Sequence, residues 1–371
     1  MTTSRRHLST LFILPLIWLV IACDSSPTEP PEEECMRTAS DMDVGGVRTL
    51  HSFSAGDSPE GIAVDCAGNL YIGVRNGVTS RVDILRADGQ QEVYAMLPDQ
   101  GEGGTGVLGL LVDEDGLLYA AHGARNGVGG IYTITPDRQV NRIAGSEGMM
   151  LPNSVALSDD GTLYATDSFG PSTVFVPGGG CEVAGDCGFL WRLDEDGVMR
   201  QWLSHPVFDS YENPGAPITV PGPNGIAFYP PSTLYVANTS GGMVVAVDLL
   251  ADGTGAPRVH AQNLGLLATL DGIAVDAGGV IYGVMASANA EELGAPPVPA
   301  VARVLTDGSV ESMDADVAQF DTPTSLTFGA GARAGTSLFI VNAALFGPGT
   351  NGPGAGVVEM NTGAEGLIFN Q

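Results

Sequence analysis

The stretch EGIAVDCAGNLYIG, residues Glu60 to Gly73, reads as two short strands joined by a turn. Ile62 and Val64 are spaced by two, as on the buried face of a strand, and Ala67-Gly68-Asn69 supplies turn residues before Leu70-Tyr71-Ile72. The same pattern recurs in five further places. These are LGLLVDEDGLLYAA from Leu108, NSVALSDDGTLYAT from Asn153, NGIAFYPPSTLYVA from Asn224, DGIAVDAGGVIYGV from Asp271 and TSLTFGAGARAGTSLFIV from Thr324. An aromatic residue recurs in each second strand: Tyr71, Tyr119, Tyr164, Tyr235, Tyr282 and, after a longer turn, Phe339.

Further strand pairs follow several of these hairpins, as in Arg81–Arg86 with Gln91–Met96, and at Gly130–Ile134 and Gly188–Leu193. Four strands per unit of about 45 to 50 residues predict an all-β, six-bladed propeller with four-stranded blades around a central channel. Successive starts lie 48, 45, 71, 47 and 53 residues apart, and the long interval places an insertion near residues 169–188. Either the segment at Arg48–Phe53 or a strand near the C-terminus closes the last blade.

Outward from the repeats, residues 1–22 read as an export signal. Arg5 and Arg6 precede an apolar stretch, Leu11 to Ala22, that is too short to span about 30 Å of hydrocarbon. It ends in Val20-Ile21-Ala22-Cys23, which resembles a bacterial lipobox, so Cys23 is expected to carry lipid. The expectation is therefore an exported lipoprotein, anchored to a membrane on its periplasmic or outer side. Residues 23–47 are acidic and Pro-rich, as in a tether, and 48–371 form the propeller.

From Cys23 onward there are 13 basic residues, all Arg, against 43 acidic ones, a net charge of −30. That repels phosphate backbones and argues against nucleic-acid binding. Setting Cys23 aside leaves Cys35, Cys66, Cys181 and Cys187, an even number suited to an oxidising compartment. We expect Cys181 to pair with Cys187 across a short loop, and Cys35 with Cys66 to tie the tether to the first blade; the other two pairings remain open.

In a propeller the innermost strand of each blade begins beside the channel, so the six start residues should form a ring. They are Glu60, Leu108, Asn153, Asn224, Asp271 and Thr324. Two carboxylates and two amide oxygens converging on one point suit a hard cation, with Ca²⁺ the natural occupant.

Here the sequence resembles the SMP-30/gluconolactonase family, which includes diisopropylfluorophosphatase-like enzymes. The resemblance runs through all six repeats. It is carried by Glu60 of Pro-Glu-Gly, Asn153 of Pro-Asn, Asn224 of Pro-Asn-Gly and Asp271 of Asp-Gly, in blades one, three, four and five. It implies a monomeric hydrolase of a lactone, ester or organophosphate. Glu60, Asn153, Asn224 and Asp271 would hold Ca²⁺ or another divalent cation, and Asp271 would also act as base. The chain departs from sugar-lactone members at Leu151, where they carry arginine, and at Ser154, where an Asp is common. Those departures point to a less polar substrate.

Residues near the end of each second strand should rim the same face: Arg75, His122, Arg125, Asp167, Asn238 and Asn342. Of these, Asp167, His122, Arg125 and Asn238 are the expected substrate contacts. The alternative reading is a non-catalytic, NHL-like propeller that binds a protein or glycan, with Asn224-Gly225 and Asp271-Gly272 serving as turn formers. Other chemistries find no support. Gly101–Gly106 lacks the lysine of a phosphate loop, the EF-hand-like starts at Asp113 and Asp194 lack the closing Glu, and neither GxSxG nor HExxH occurs.

Overall fold

The computed structural model describes residues 35, 38–214, 216–288, 298–313, 317–345 and 352–367. The leader and Cys23 lie outside the described residues. After β1 (Val47–Ser52), the first repeat folds as expected into β2 (Ser58–Val64), β3 (Leu70–Asn76), β4 (Thr79–Leu85) and β5 (Gln91–Met96), which form one antiparallel sheet. The second blade is β6 (Gly106–Val112), β7 (Leu118–Gly123), β8 (Gly130–Ile134) and β9 (Val140–Arg142). The third is β10 (Pro152–Leu157), β11 (Leu163–Asp167), β12 (Phe189–Leu193) and β13 (Met199–Ser204). The fourth is β14 (Pro223–Tyr229), β15 (Thr233–Asn238), β16 (Met243–Leu249) and β17 (Gly255–Gln262).

The fifth blade is β18 (Leu270–Val275), β19 (Ile281–Met285), β20 (Val301–Val304) and β21 (Val310–Ser312). The sixth takes β22 (Pro323–Phe328), β23 (Ser337–Asn342) and β24 (Gly356–Asn361) from the C-terminal end and β1 as its outer strand, so both ends of the propeller close the ring. β1 runs antiparallel to β24, Val47 opposite Met360 and Ser52 opposite Gly356. Arg48 adds an ion pair to the buried Glu359 at 2.7 Å.

Strands β2, β6, β10, β14, β18 and β22 contact one another in a closed circle and so surround the axis. The apolar residues at alternating strand positions fill the layers between blades. Ile62, Leu70, Ile72 and Val74 of the first blade pack with Phe339, Val341 and Val357 of the sixth, sealing that junction. Burying such side chains contributes about 1.5–3 kcal/mol each.

In blades one, two and five, at the end remote from the start residues, an Asp of the repeat builds the turn. Asp65 accepts the backbone N–H groups of Ala67 and Asn69 and the Tyr71 hydroxyl. Asp113 does the same for Asp115, Leu117 and Tyr119, and Asp276 for Gly278, Val280 and Tyr282. A carboxylate that accepts two successive N–H groups fixes the hairpin.

Both expected disulfides are present, Cys35–Cys66 with Cα atoms 4.9 Å apart and Cys181–Cys187 with 5.6 Å. They suit an exported protein. Among the described residues no helix is long and apolar enough to cross a membrane.

Candidate functional site

Each of the six innermost strands carries a β-bulge at its start residue. In the first blade Pro59 faces Val74 and Ile62 faces Ile72, so Glu60 and Gly61 together oppose Gly73. The equivalent shifts fall at Asn153-Ser154, Asn224-Gly225 and Asp271-Gly272. In blades two and six the extra residues are Leu108 and Thr324. Glu60, Ile62 and Val64 share one parity and in an unbroken strand would share one face. The bulge turns Glu60 off that face, which is how a regular repeat re-aims one side chain per blade.

The residue after each start explains why the ring is tight. A Cβ on Gly61 would meet the Leu108 carbonyl oxygen at 3.0 Å, and one on Gly109 the Asn153 carbonyl oxygen at 2.4 Å. For Gly225 the Asp271 oxygen lies at 2.7 Å, and for Gly272 the Thr324 oxygen at 2.8 Å. These glycines are strand residues where neighbouring backbones touch. The alternative, non-catalytic reading takes Gly225 and Gly272 as turn formers; the structure gives them extended backbone inside β14 and β18 instead. The contacts also set the ring order: Glu60, Leu108, Asn153, Asn224, Asp271, Thr324.

Both amides are oriented by the same relay in successive blades. Asn153 Nδ2 donates to Ser168 Oγ (2.9 Å), whose own proton goes to the Pro223 carbonyl (2.6 Å). Asn224 Nδ2 donates to Thr239 Oγ1 (3.0 Å), whose proton goes to the Leu270 carbonyl (2.7 Å). A hydroxyl that spends its proton on a carbonyl is an acceptor only, so each amide must present nitrogen to it and keep its oxygen free. Among the described residues neither Oδ1 accepts a hydrogen bond.

The carboxylates are strained electrostatically. Burial lifts Glu60 well above the usual carboxylate range, the charge of Asp271 raises it further, and Arg75 opposes the rise. Burial pushes Asp271 up to about 8, against the lowering effect of the Asn224 amide. Two like charges in a poorly hydrated channel favour holding a proton or a cation. Thr324 Oγ1, next in the ring after Asp271, is buried without a protein partner. Two carboxylates, two amide oxygens locked as acceptors and an orphaned hydroxyl are the donor set a hard divalent cation takes.

The expected rim residues sort by strand parity. His122, Asp167 and Asn238 face Val107, Pro152 and Pro223, and all three are fully buried. Asp167 accepts the Met150 and Leu151 N–H groups at 2.9 and 2.7 Å; burial still lifts it to about 7. Asn238 donates to the Val207 and Asp209 carbonyls and accepts from Gly241 N–H. His122 is held below its ordinary range by burial, its ring 5.6 Å edge-on from Tyr132. Arg125 is exposed and donates to the Gly103 carbonyl at 2.8 Å. The expected rim residue Arg75 acts on Glu60 through its charge, while the hydroxyls that bond the ring amides stand one position beyond Asp167 and Asn238, at Ser168 and Thr239. The tyrosine of each second strand carries that parity, since Tyr71 and Arg75, Tyr164 and Ser168, and Tyr235 and Thr239 are each four apart.

The insertion keeps its expected place between β11 and β12. Cys181, Cys187 and Asp209 form the one cluster with metal-like spacing of Cys, His, Asp or Glu among the described residues. Its sulfurs are joined to each other, and Asp209 accepts the Gly185 and Cys187 N–H groups. It is a loop clamp.

No protein-family model matches the chain, and no curated protein matches it. Solved structures do. A gluconolactonase from Xanthomonas campestris matches at 22% identity and a TM-score of 0.55, over 85% of this chain and 88% of that one. A luciferin-regenerating enzyme matches at 14% identity and 0.58, over 88% and 98%.

The chain shares their six-bladed propeller fold.

A virginiamycin B lyase from Staphylococcus aureus also matches, at 13% identity and a TM-score of 0.50 over 85% of this chain and 99% of that one. At these identities the likeness concerns architecture alone, and the chemistry must be argued from the ring.

Proposed function

We propose that the protein is a divalent-cation-dependent hydrolase, with Ca²⁺ the natural ion, acting on a lactone, ester or organophosphate in the propeller channel. The observation that carries this reading is the pair of channel carboxylates, Glu60 and Asp271, facing amides whose oxygens are left free by the Ser168 and Thr239 relays. The likeness to gluconolactonase and luciferin-regenerating enzyme supports a hydrolase, and the substrate is a small molecule that enters the channel.

Glu60, Asn153, Asn224 and Asp271 would hold the ion. When bound, it supplies Lewis-acid stabilisation of negative charge growing on the substrate oxygen. The remaining chemistry belongs to the chain. Asp271 takes a proton from an attacking water as the new oxygen–carbon or oxygen–phosphorus bond forms. It returns that proton to the departing alkoxide as the scissile bond breaks, giving hydroxy acid from a lactone. The relays keep both amides from rotating, and Arg75 offsets part of the charge on Glu60. Upstream, we assign residues 1–22 to an export signal and Cys23 to a lipid anchor, with 23–47 as tether.

The test is a panel of lactones, esters and organophosphates offered to the full chain with Ca²⁺ and with chelator. We expect turnover that chelation abolishes and that Asp271→Asn lowers by about 10²–10⁴-fold, the usual weight of a general base. Turnover untouched by chelator and by Asp271→Asn would refute the assignment.

A further inference from the structure

Strand ends define one mouth to the channel. Asp167 closes β11, Phe189 opens β12, Ser204 closes β13 and Pro223 opens β14, and these residues stand level across the blades. The connections 168–188 and 205–222 therefore both rise on the face that carries Asn153 and Asn224.

They form one ordered lip. Gly178 N–H donates to the Ile218 carbonyl (3.2 Å), Asn213 N–H to the Gly178 carbonyl (3.1 Å), and Thr219 Oγ1 lies 2.8 and 2.9 Å from the Val174 and Val176 carbonyls. The Cys181–Cys187 disulfide closes its base. These bonds hold the backbone of the lip together, while three of its apolar side chains stand open: Phe175 is 56% exposed, Val176 51% and Ile218 64%. Phe175 packs edge-on against Phe169 at 5.0 Å, and Phe169 directly follows Ser168, the residue that orients Asn153.

The apolar surface continues inward. Leu108 stands in the ring between Glu60 and Asn153. A Cβ on Gly123, the blade-two counterpart of Ser168 and Thr239, would meet Thr105 Oγ1 at 2.0 Å and Leu151 Cδ1 at 3.0 Å. Where blades three and four carry a hydroxyl of their own, blade two has a glycine, and the space beside it is shared by Leu151 and by Thr105, whose hydroxyl donates to the Gly123 carbonyl at 3.3 Å. A sugar ring seated here would leave the hydroxyls on the side of Leu108 and Leu151 facing hydrocarbon, which is costly. Exposed apolar side chains held on a stapled loop beside a polar site mark a surface that gains a partner.

We propose that the channel takes a lactone bearing an aliphatic tail, its ring at the four oxygen-bearing residues and its tail along Leu108, Leu151 and the Phe169–Phe175 lip. This rests on the hydrolase reading for the identity of the ring, and on the lip alone for the tail.

Binding and turnover separate the two. Unreactive γ-lactams with tails of increasing length, titrated calorimetrically into the full chain with Ca²⁺, report the tail without any chemistry. Kd should fall about twofold for each added methylene that is half buried. Phe175→Ser, at an exposed position, should at least halve that dependence and leave the untailed ring unchanged. A Kd independent of tail length, or a tail dependence unchanged in Phe175→Ser, overturns the proposal. So does a Phe175→Ser effect confined to binding of phosphatidylglycerol vesicles, which would make the lip a membrane contact. Lactone turnover without tail dependence overturns this inference and spares the hydrolase reading; tail-dependent binding without turnover does the reverse.

Discussion

Blades one and five use acidic residues at their two ends for opposite purposes. Asp65, Asp113 and Asp276, at the hairpin turns, each accept two backbone N–H groups and a tyrosine hydroxyl. Glu60 and Asp271, at the bulges, are lifted by burial; the charge of Asp271 raises Glu60 further, and Asp271 has the Asn224 amide beside it in place of backbone donors. Asp271 and Asp276 are only five residues apart in one strand and turn. A carboxylate surrounded by donors is a structural part; one deprived of them is a demand for a proton or a cation. The comparison explains why counting acids in the repeat says little and counting donors around each says much.

The largest effect that sharpens the contrast is the dependence of stability on pH without divalent ions. Asp271 at about 8 and Asp167 at about 7 bind protons in the folded state that their unfolded counterparts, near 4, have already released. A raised carboxyl pKa contributes stability that is complete below the unfolded pKa and lost as pH rises through the folded one. In chelator, Tm should fall by about 5 °C between pH 5 and pH 8. Ca²⁺ should restore most of it, and Asp167→Asn should remove the Ca²⁺-insensitive part. A flat Tm across that window would erase the distinction between the two ends.

Next in size is Asp65→Ala, which strips the turn of its acceptor. It should cost about 1–2 kcal/mol in denaturant unfolding and leave Ca²⁺ affinity unaltered. Ser168→Ala is the smallest and most pointed. By freeing the Asn153 amide to rotate, it should weaken Ca²⁺ binding about fivefold, near 1 kcal/mol, in calorimetry. An unchanged affinity would mean that the relay does not hold the amide.

Much of the architecture was legible in the chain. Ile62 and Val64, with their five sets of counterparts, announced the strands, and the start residues of the repeats do line the axis. Of the three pairings the cysteines allowed, the expected one, a short loop and a tie from the tether to the first hairpin, is the one found. What escaped was local phase. A single bulge per blade rotates Glu60 relative to Ile62, and nothing in Pro-Glu-Gly-Ile announces the extra residue. At the end of the second strand a slip of one residue exchanges faces. It separated the buried Asp167 and Asn238 from Ser168 and Thr239, which touch the ring. Gly225 and Gly272 misled for a related reason, since a glycine required by close backbone approach looks the same in sequence as one required by a turn. Leu151, by contrast, was legible as a departure, and its position beside Gly123 gives that departure a physical setting.

The claim that Glu60, Asn153, Asn224 and Asp271 serve one cation is tested most directly by calorimetric titration of Ca²⁺ into the full chain and its Glu60→Gln variant at neutral pH. The account predicts one ion per chain and at least a tenfold loss of affinity in the variant, since two carboxylates become one. Absence of binding heat, or equal affinity in both proteins, would contradict it.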